Sequence, residues 1–395
     1  MVTLTCYVLM GITVILALPC AIFSIEIFVS IFSVNRALLA IGTGRRGRVA
    51  VLIPAHDEAS GIAVTLDDIK VQLRATDRVL VVADNCSDDT ATIAVTSGAE
   101  VTVRSDPARI GKGYALDWGL NHLAAAPPDI VIMVDADCRV MAGTIDRLAR
   151  LCEATQRPAQ SLYLMKAADS AINHQVAEFA WRIKNWVRPS GLNALGLPCQ
   201  LMGTGMAFPW TVIRSIDLSS GMIVEDLKLG LDLASSGKAP IFCPSAIVTS
   251  TFSPSVKGAA AQRKRWEYGH LAMIITTTPR LLLEAVKRRD LNLIVMVLDL
   301  IVPPLSLLGA SLVVVAALGA IAASVGGSPA ALQLSLVNLT VLTAATFFAW
   351  SKVGRDILPL QSFALILTYF MGKVRIYWAF LSGQKVSSWI RADRD

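Results

Sequence analysis

The stretch that decides the fold lies before the middle of the chain and reads Ile130-Val131-Ile132-Met133-Val134-Asp135-Ala136-Asp137-Cys138. Its leading residues are apolar and mostly β-branched, which is typical of a strand buried on both faces of a sheet. Two carboxylates, Asp135 and Asp137, follow where this strand is expected to end. Because alternating residues of an extended chain point to the same side, both carboxylates can face one pocket.

This acidic pair indicates a ligand site. Open α/β sheets bind ligands at the carboxyl ends of their strands. Two neighbouring carboxylates repel each other unless a cation lies between them, and a divalent metal that carries a phosphorylated ligand would supply that charge. A polar surface turn after the strand is the alternative interpretation.

The composition predicts membrane segments. The chain has 395 residues, of which 54% are hydrophobic and 17% charged, and this is too apolar for an ordinary soluble enzyme. Residues 3–34 are almost continuously apolar and have no basic start, which favours an uncleaved anchor over a signal peptide. The formal net charge of +6 is modest, and no basic run interleaved with aromatic residues suggests nucleic-acid binding.

The distribution of charge divides the chain into four parts. We predict an N-terminal transmembrane anchor over residues 1–40, a cytoplasmic catalytic domain over 41–270, an interfacial amphipathic helix over 271–290 and a C-terminal membrane region over 291–395. Basic residues on both borders of the charged part favour a cytoplasmic catalytic domain in a multi-pass protein of the inner (plasma) membrane. They are Arg45, Arg46, Arg48, Lys287, Arg288 and Arg289. About three C-terminal spans are expected, over 294–325 with a kink at Pro303-Pro304, 330–350 and 357–381.

The part between residues 49 and 270 alternates between strand and helix patterns. Strands are predicted over 49–54, 77–83, 100–103 and 130–134, with a helix over 60–73 that Ser60 caps. Further helices are expected at 111–123, 171–187 and 223–235, with another beginning at Ala261. This alternation predicts a mostly parallel sheet with right-handed crossovers.

Four motifs follow one another in this part: Asp84, Asp135-x-Asp137, Glu225-Asp226 and Gln262-x-x-Arg265-Trp266. In this order they resemble the signature of membrane-embedded family 2 glycosyltransferases, the group that includes cellulose, chitin and hyaluronan synthases and ceramide glucosyltransferases. The resemblance covers about residues 49–270. It implies a GT-A type nucleotide-sugar-binding domain flanked by transmembrane helices.

The resemblance also implies a donor site for a UDP-sugar. Asp137 is expected to hold Mg²⁺ or Mn²⁺, while Asp135 and Asp84 contact the ribose or uracil. Glu58 is a weaker candidate for the nucleotide, because its neighbour Asp57 replaces the Asn that is more frequent in the family. The alternative role for Asp84 is to cap the helix that follows it.

Charged residues are also predicted around the leaving group and the acceptor hydroxyl. Lys112, in a glycine-flanked turn, and Arg265 are expected to contact the diphosphate. Lys112 is otherwise a surface lysine. Asp226 matches the catalytic base of the family, and since no separate carboxylate nucleophile is indicated, inversion by single displacement is expected. The alternative for Glu225-Asp226 is a pair of acidic residues that only stabilise a helix N-terminus.

Four further residues are predicted to bind the acceptor. They are Gly203, Thr204, Gln262 and Trp266, of which Trp266 can stack on a sugar or border a lipid entrance. An alternative for the helix of Gln262 and Trp266 is anchorage to lipid headgroups. The four histidines, His56, His122, His174 and His270, show no metal-ligand spacing and are interpreted as surface or core residues.

The expected function is transfer from a UDP-sugar to a growing polysaccharide, with a single transfer to a ceramide, diacylglycerol or polyprenyl acceptor as the alternative. Membrane lipids are expected partners. Two other classes stay open at this point. One is a dinucleotide-dependent oxidoreductase, although its Gly-x-Gly-x-x-Gly turn is absent after the first strand. The other is a transporter or scaffold that only binds nucleotide.

Overall fold

The computed structural model of this protein describes residues 2–32, 46–219, 224–253 and 255–362. The strands are β1 Val49–Ala55, β2 Arg78–Asp84, β3 Glu100–Arg104, β4 Ile130–Met133, β5 Arg139–Val140, β6 Ala159–Lys166, β7 Met206–Pro209 and β8 Ile241–Thr251. The helices are α1 Val2–Val29, α2 Ile62–Lys70, α3 Thr90–Thr96, α4 Lys112–Leu123, α5 Thr144–Thr155, α6 Ile172–Arg182, α7 Arg188–Ala194, α8 Trp210–Ile213, α9 Glu225–Ser235, α10 Val256–Thr276, α11 Thr278–Arg288, α12 Leu291–Leu300, α13 Leu305–Ser324 and α14 Ala330–Val353.

The described strands form one eight-stranded sheet in the order β3-β2-β1-β4-β7-β6-β8-β5. The pairs β2–β3, β1–β2, β1–β4 and β6–β8 are parallel, and every antiparallel pair involves β5 or β7. The predicted α/β fold with a mostly parallel sheet is therefore confirmed.

Apolar side chains cover both faces of this sheet. Along β1, Val51 and Ile53 belong to the core under α2 and α5, while Ala50 and Leu52 belong to the core under α4 and α9. All four are fully buried. This two-sided burial explains why the strand sequences are continuously apolar rather than alternating.

Three helices in the described ranges are long and apolar enough to cross a membrane: Val2–Phe32, α13 and α14. They pack together through buried residues that include Phe23, Leu312 and Ala345. Gly191 of α7 lies against α1, where a β-carbon would collide with the backbone carbonyl of Glu26. The glycine thus lets the α/β part of the chain pack closely on the first apolar helix.

Several predicted helix boundaries are wrong. The segment 294–325 is two helices, since Pro303 and Pro304 separate α12 from α13 instead of kinking one span. The predicted interfacial helix is likewise divided at Thr277, and the helix expected to begin at Ala261 begins at Val256. The last predicted span, 357–381, lies mostly outside the described residues.

Two polar residues have roles other than those predicted. Ser60 does not cap α2, whose N-cap is Gly61, and the N–H groups of Gly61 and Ile62 donate to the Glu58 carbonyl instead. Arg46 does not face a membrane, because its guanidinium is buried and donates two hydrogen bonds to Asp77, of 3.0 and 2.7 Å.

Candidate active site

A cavity of about 230 Å³ lies at the carboxyl ends of β1, β2 and β4. It is lined by nine of the eleven predicted site residues, namely Glu58, Asp84, Lys112, Asp135, Asp137, Asp226, Gln262, Arg265 and Trp266. These residues come from segments that are far apart in sequence. The expectation that separate βα turns and helix starts converge on one pocket therefore agrees with the described geometry.

Lys112 links the acidic turn after β4 to the loop before β7. Its ammonium lies 2.5 Å from the Asp135 carboxylate and donates to the Gly203 carbonyl over 2.8 Å. Burial would lower the pKa of Lys112, but the charges of Asp135 and Glu225 outweigh this effect and raise it. The lysine is thus a fixed positive charge inside the cavity rather than a solvated surface residue.

The turn after β4 offers a donor set for a divalent cation. Asp135, Asp137 and Cys138 each place a ligand atom within 4.8 Å of the others. Burial, with the nearby charges of Asp137 and Asp135, raises the pKa of the Cys138 thiol. A sulfur ligand suits softer metals than Mg²⁺ or Mn²⁺. The remaining donors are carboxylate oxygens, which suit Mg²⁺ or Mn²⁺.

Asp84 is the last residue of β2 and lines the cavity, although its carboxylate is largely buried. Arg104 donates to it over 2.6 Å, and the Asn85 amide donates over 3.0 Å. The helix that follows begins only at Thr90, whose N–H donates to Asp88. The alternative role of Asp84 as a helix cap is therefore wrong.

Glu225 and Asp226 form the first turn of α9, as predicted, and both face the cavity. Burial raises the pKa of Glu225 to about 7. Burial also raises the pKa of Asp226, against the opposing charges of Lys184 and Lys112. A carboxylate with a raised pKa in a cavity has the property expected of a general base.

The helix α10 closes another side of the cavity with Gln262, Arg265 and Trp266. The Gln262 carbonyl oxygen is buried and has no hydrogen-bond partner among the described residues. The Trp266 ring packs on Trp181, with their centroids 5.0 Å apart. Gln262 thus offers an unused acceptor atom to a ligand, and Trp266 offers an aromatic wall.

Gly203 and Thr204 contact this lining but do not form it. Gly203 has a φ of +92°, a backbone conformation that strains any residue with a side chain, and a β-carbon there would lie in ordinary contact with the Asp226 carboxylate, at 3.5 Å. Thr204 is fully buried, and its hydroxyl accepts a hydrogen bond of 3.0 Å from the Asp135 N–H. The Thr204 side chain therefore positions the acidic turn, and a direct contact with an acceptor is not open to it.

Several residues that line the cavity were not assigned to the site in the sequence analysis. Lys184 lies in a π-helical turn, Ile183–Val187, that continues α6, and it lines the cavity near Asp226. His56 and His270 were interpreted as surface or core residues, yet both line the cavity, and His270 bonds the Leu300 carbonyl over 2.9 Å. Burial lowers the pKa of His270 to about 4. The one available signal was the clustering of aromatic residues around Lys184.

The sheet order and the acidic cavity at its carboxyl edge define a GT-A type domain. A mannosyltransferase from Pyrobaculum calidifontis, solved with GDP-Man and Mn²⁺, superposes with a TM-score of 0.54 over 87% of this chain and 98% of its own, at 20% identity. This likeness shows the fold. A family model described as glycosyltransferase like family 2 matches residues 46–269, and the chain belongs to that family.

Curated relatives match only part of the chain. An uncharacterised glycosyltransferase of Mycobacterium bovis is 36% identical over 122 residues, which is 29% of this chain and 51% of the relative. A glucosyl-3-phosphoglycerate synthase of Mycolicibacterium paratuberculosis is 38% identical over 95 residues, 22% of this chain and 28% of that enzyme. The matches span about half or less of these relatives.

Proposed function

We propose that this protein is a membrane-bound, inverting glycosyltransferase that transfers a sugar from a UDP-sugar to an acceptor hydroxyl, with Mg²⁺ or Mn²⁺ as cofactor. Its product would be a cell-surface polysaccharide or a glycolipid. The observation that carries the proposal is the presence of Asp84, Asp137 and Asp226, from three separate segments, in the lining of one cavity.

The donor half of this site follows from the charges at the strand ends. Asp137, with Asp135, would hold the divalent cation, and the metal when bound would neutralise charge on the departing diphosphate. Lys112 and Arg265 are cations on the same cavity and can contact phosphate oxygens. Asp84 and Glu58 are proposed to contact the nucleoside. Uridine is specified by the motif resemblance, whereas the Pyrobaculum calidifontis neighbour was solved with GDP-Man.

The transfer itself is a single displacement. The acceptor oxygen forms a bond to the anomeric carbon, the bond from that carbon to the diphosphate oxygen breaks, and the nucleoside diphosphate leaves with the electron pair. The hydroxyl proton passes to Asp226. Because attack is opposite to the leaving group, the configuration at the anomeric carbon inverts.

The proposal predicts that donor and metal stabilise the folded protein together. The full chain in detergent is heated with UDP-glucose, UDP-galactose or UDP-GlcNAc, with and without Mn²⁺. A productive donor should stabilise it by about 2.7 kcal/mol when present at about 100 times its Kd. This gain should need Mn²⁺ and disappear in Asp137→Ala, since that variant lacks a metal ligand.

The matched control is Asp117→Ala, which removes a carboxylate of α4 that does not line the cavity. It should keep the Mn²⁺-dependent gain. An equal gain in a chelator, or an unchanged gain in Asp137→Ala, would contradict the metal site. The oxidoreductase alternative would instead predict stabilisation by a nicotinamide dinucleotide, and a purely binding protein would show donor stabilisation without transfer.

A further inference from the structure

A second cavity, of about 250 Å³, lies between the catalytic domain and the helices that can cross a membrane. Its wall includes Phe23 of α1, Leu305 of α13 and Thr346 of α14, together with Phe179 and Ala180 of α6. Most of the remaining wall is aliphatic or aromatic. This apolar cavity is bounded on one side by all three candidate spans.

The apolar cavity adjoins the candidate active site. Four residues line both spaces, namely Trp181, Lys184, Trp266 and His270. Beyond these shared residues the active-site side carries six carboxylates, whereas the other side is mostly apolar, with Phe23, Phe179 and Leu305. The charged side chains of that second side are Arg188, Arg263 and Glu267. A ligand that fills both spaces must therefore be polar at one end and apolar at the other.

Lys184 lies at the boundary between the polar active-site cavity and the apolar cavity. The π-helical turn that contains it is an irregularity often found at functional sites. Its side chain is exposed into the shared space, with its ammonium over the Trp181 ring at 5.7 Å. The charged groups that act on it include Asp226, Arg188, Asp299 and Glu267. A polar headgroup at Lys184 would thus lie close to Asp226.

We infer that the acceptor is a membrane lipid, whose apolar chain occupies the apolar cavity and whose headgroup hydroxyl reaches Asp226 past Lys184 and His270. This inference rests on the proposed function and specifies its acceptor. A growing polysaccharide fits the apolar cavity poorly, because most of its hydroxyl groups would be buried there without hydrogen-bond partners. The apolar chain of a lipid, in contrast, would lose its contact with water when it packs against the same wall, and this is favourable.

The test blocks the apolar cavity without touching the donor site. Ala180 and Thr346 line only the apolar cavity, so Ala180→Trp should fill it from α6 and Thr346→Trp from α14. Ala317→Trp, at an exposed position of α13 outside the cavity, is the matched control. The full chain is reconstituted in phosphatidylcholine nanodiscs that contain hexadecanol with a diazirine group, which attaches to nearby residues when it is irradiated. After irradiation, the peptides that carry the label are identified.

We expect labelling within residues 172–187 that both cavity-filling variants reduce by at least about tenfold and the control retains. In isolated membranes with radiolabelled UDP-sugar, the same two variants should lose label from the lipid fraction to a similar degree, with donor stabilisation unchanged. Either variant is sufficient if the other does not fold.

Two results would overturn the inference and leave the proposed function intact. One is labelling at 172–187 that neither variant reduces. The other is transfer into a water-soluble polymer that survives in both variants. Failure of the proposed function is recognised by a different measurement, because no UDP-sugar would then stabilise the wild-type protein. The labelling pattern would still show whether a lipid occupies the cavity.

Discussion

Two clusters of buried charge lie close together in this protein and differ in what surrounds them. The junction cluster consists of Arg188 between Glu26 and Asp299, with both N–O distances at 2.5 Å and side chains exposed by at most 11%. The site cluster consists of Lys112, Asp135, Glu225 and Asp226 and borders the active-site cavity.

The difference lies in how charge is balanced. In the junction cluster one guanidinium bridges two carboxylates from α1 and α12, so the pairing ties the catalytic domain to the apolar helices. In the site cluster the Lys112 ammonium contacts Asp135 at 2.5 Å, and the cavity lining as a whole carries more carboxylates than cations. The carboxylates are those of Glu58, Asp84, Asp135, Asp137, Glu225 and Asp226, and the cations are Lys112, Lys184 and Arg265. A protein can hold such an excess when a bound cation and substrate complete it.

The largest effect should come from breaking the junction cluster. Arg188→Met leaves two carboxylates without their buried partner and should lower the free energy of unfolding by about 3–5 kcal/mol. Denaturation of the detergent-solubilised protein measures this loss. The triple variant Glu26→Gln/Arg188→Met/Asp299→Asn should recover most of it, because no uncompensated charge remains. A loss below about 1 kcal/mol in the single variant would mean that water or ions already reach these groups.

The site cluster should respond in activity rather than in stability. Asp226→Asn removes the proposed base, so transfer should fall by about 10²-fold or more while donor stabilisation persists. Radiolabelled transfer and thermal unfolding with a UDP-sugar measure the two quantities. Asp232→Asn, on the same helix but outside the cavity, should keep full activity. Undiminished turnover in Asp226→Asn would rule out the assigned role.

The smallest expected effect is a change in the pH dependence of activity. It separates the two clusters, because Lys184 acts on Asp226 of the site cluster although it lies only four residues from Arg188 of the junction cluster. The Lys184 charge opposes the burial that raises the pKa of Asp226, so Lys184→Met should raise that pKa further. A base acts only when ionised, and activity is lost as the pH falls through its pKa. The acid limb of the pH–rate profile should therefore move to higher pH, whereas Lys228→Met, outside the cavity, should leave it in place.

Local patterns in the sequence predicted much of the fold and the acidic site. Continuous apolar runs such as 130–134 indicate burial on both faces, and the carboxylates that follow them mark strand ends. The order of the motifs at Asp84, Asp137 and Asp226 indicated the resemblance to family 2 glycosyltransferases. Boundaries were less accurate, since Pro303-Pro304 can either kink a helix or end it, and packing decides between these outcomes.

The sequence alone determined the α/β framework and the acidic residues at its edge, because strand burial and turn chemistry depend on neighbours within a few residues. Only the tertiary structure decided that Glu26 and Asp299 share Arg188, from which they are separated by 162 and 111 residues. The same holds for the burial of Thr204 and for the place of Lys184 and His270 between two cavities. Such pairings depend on how distant helices pack, and no local pattern records that.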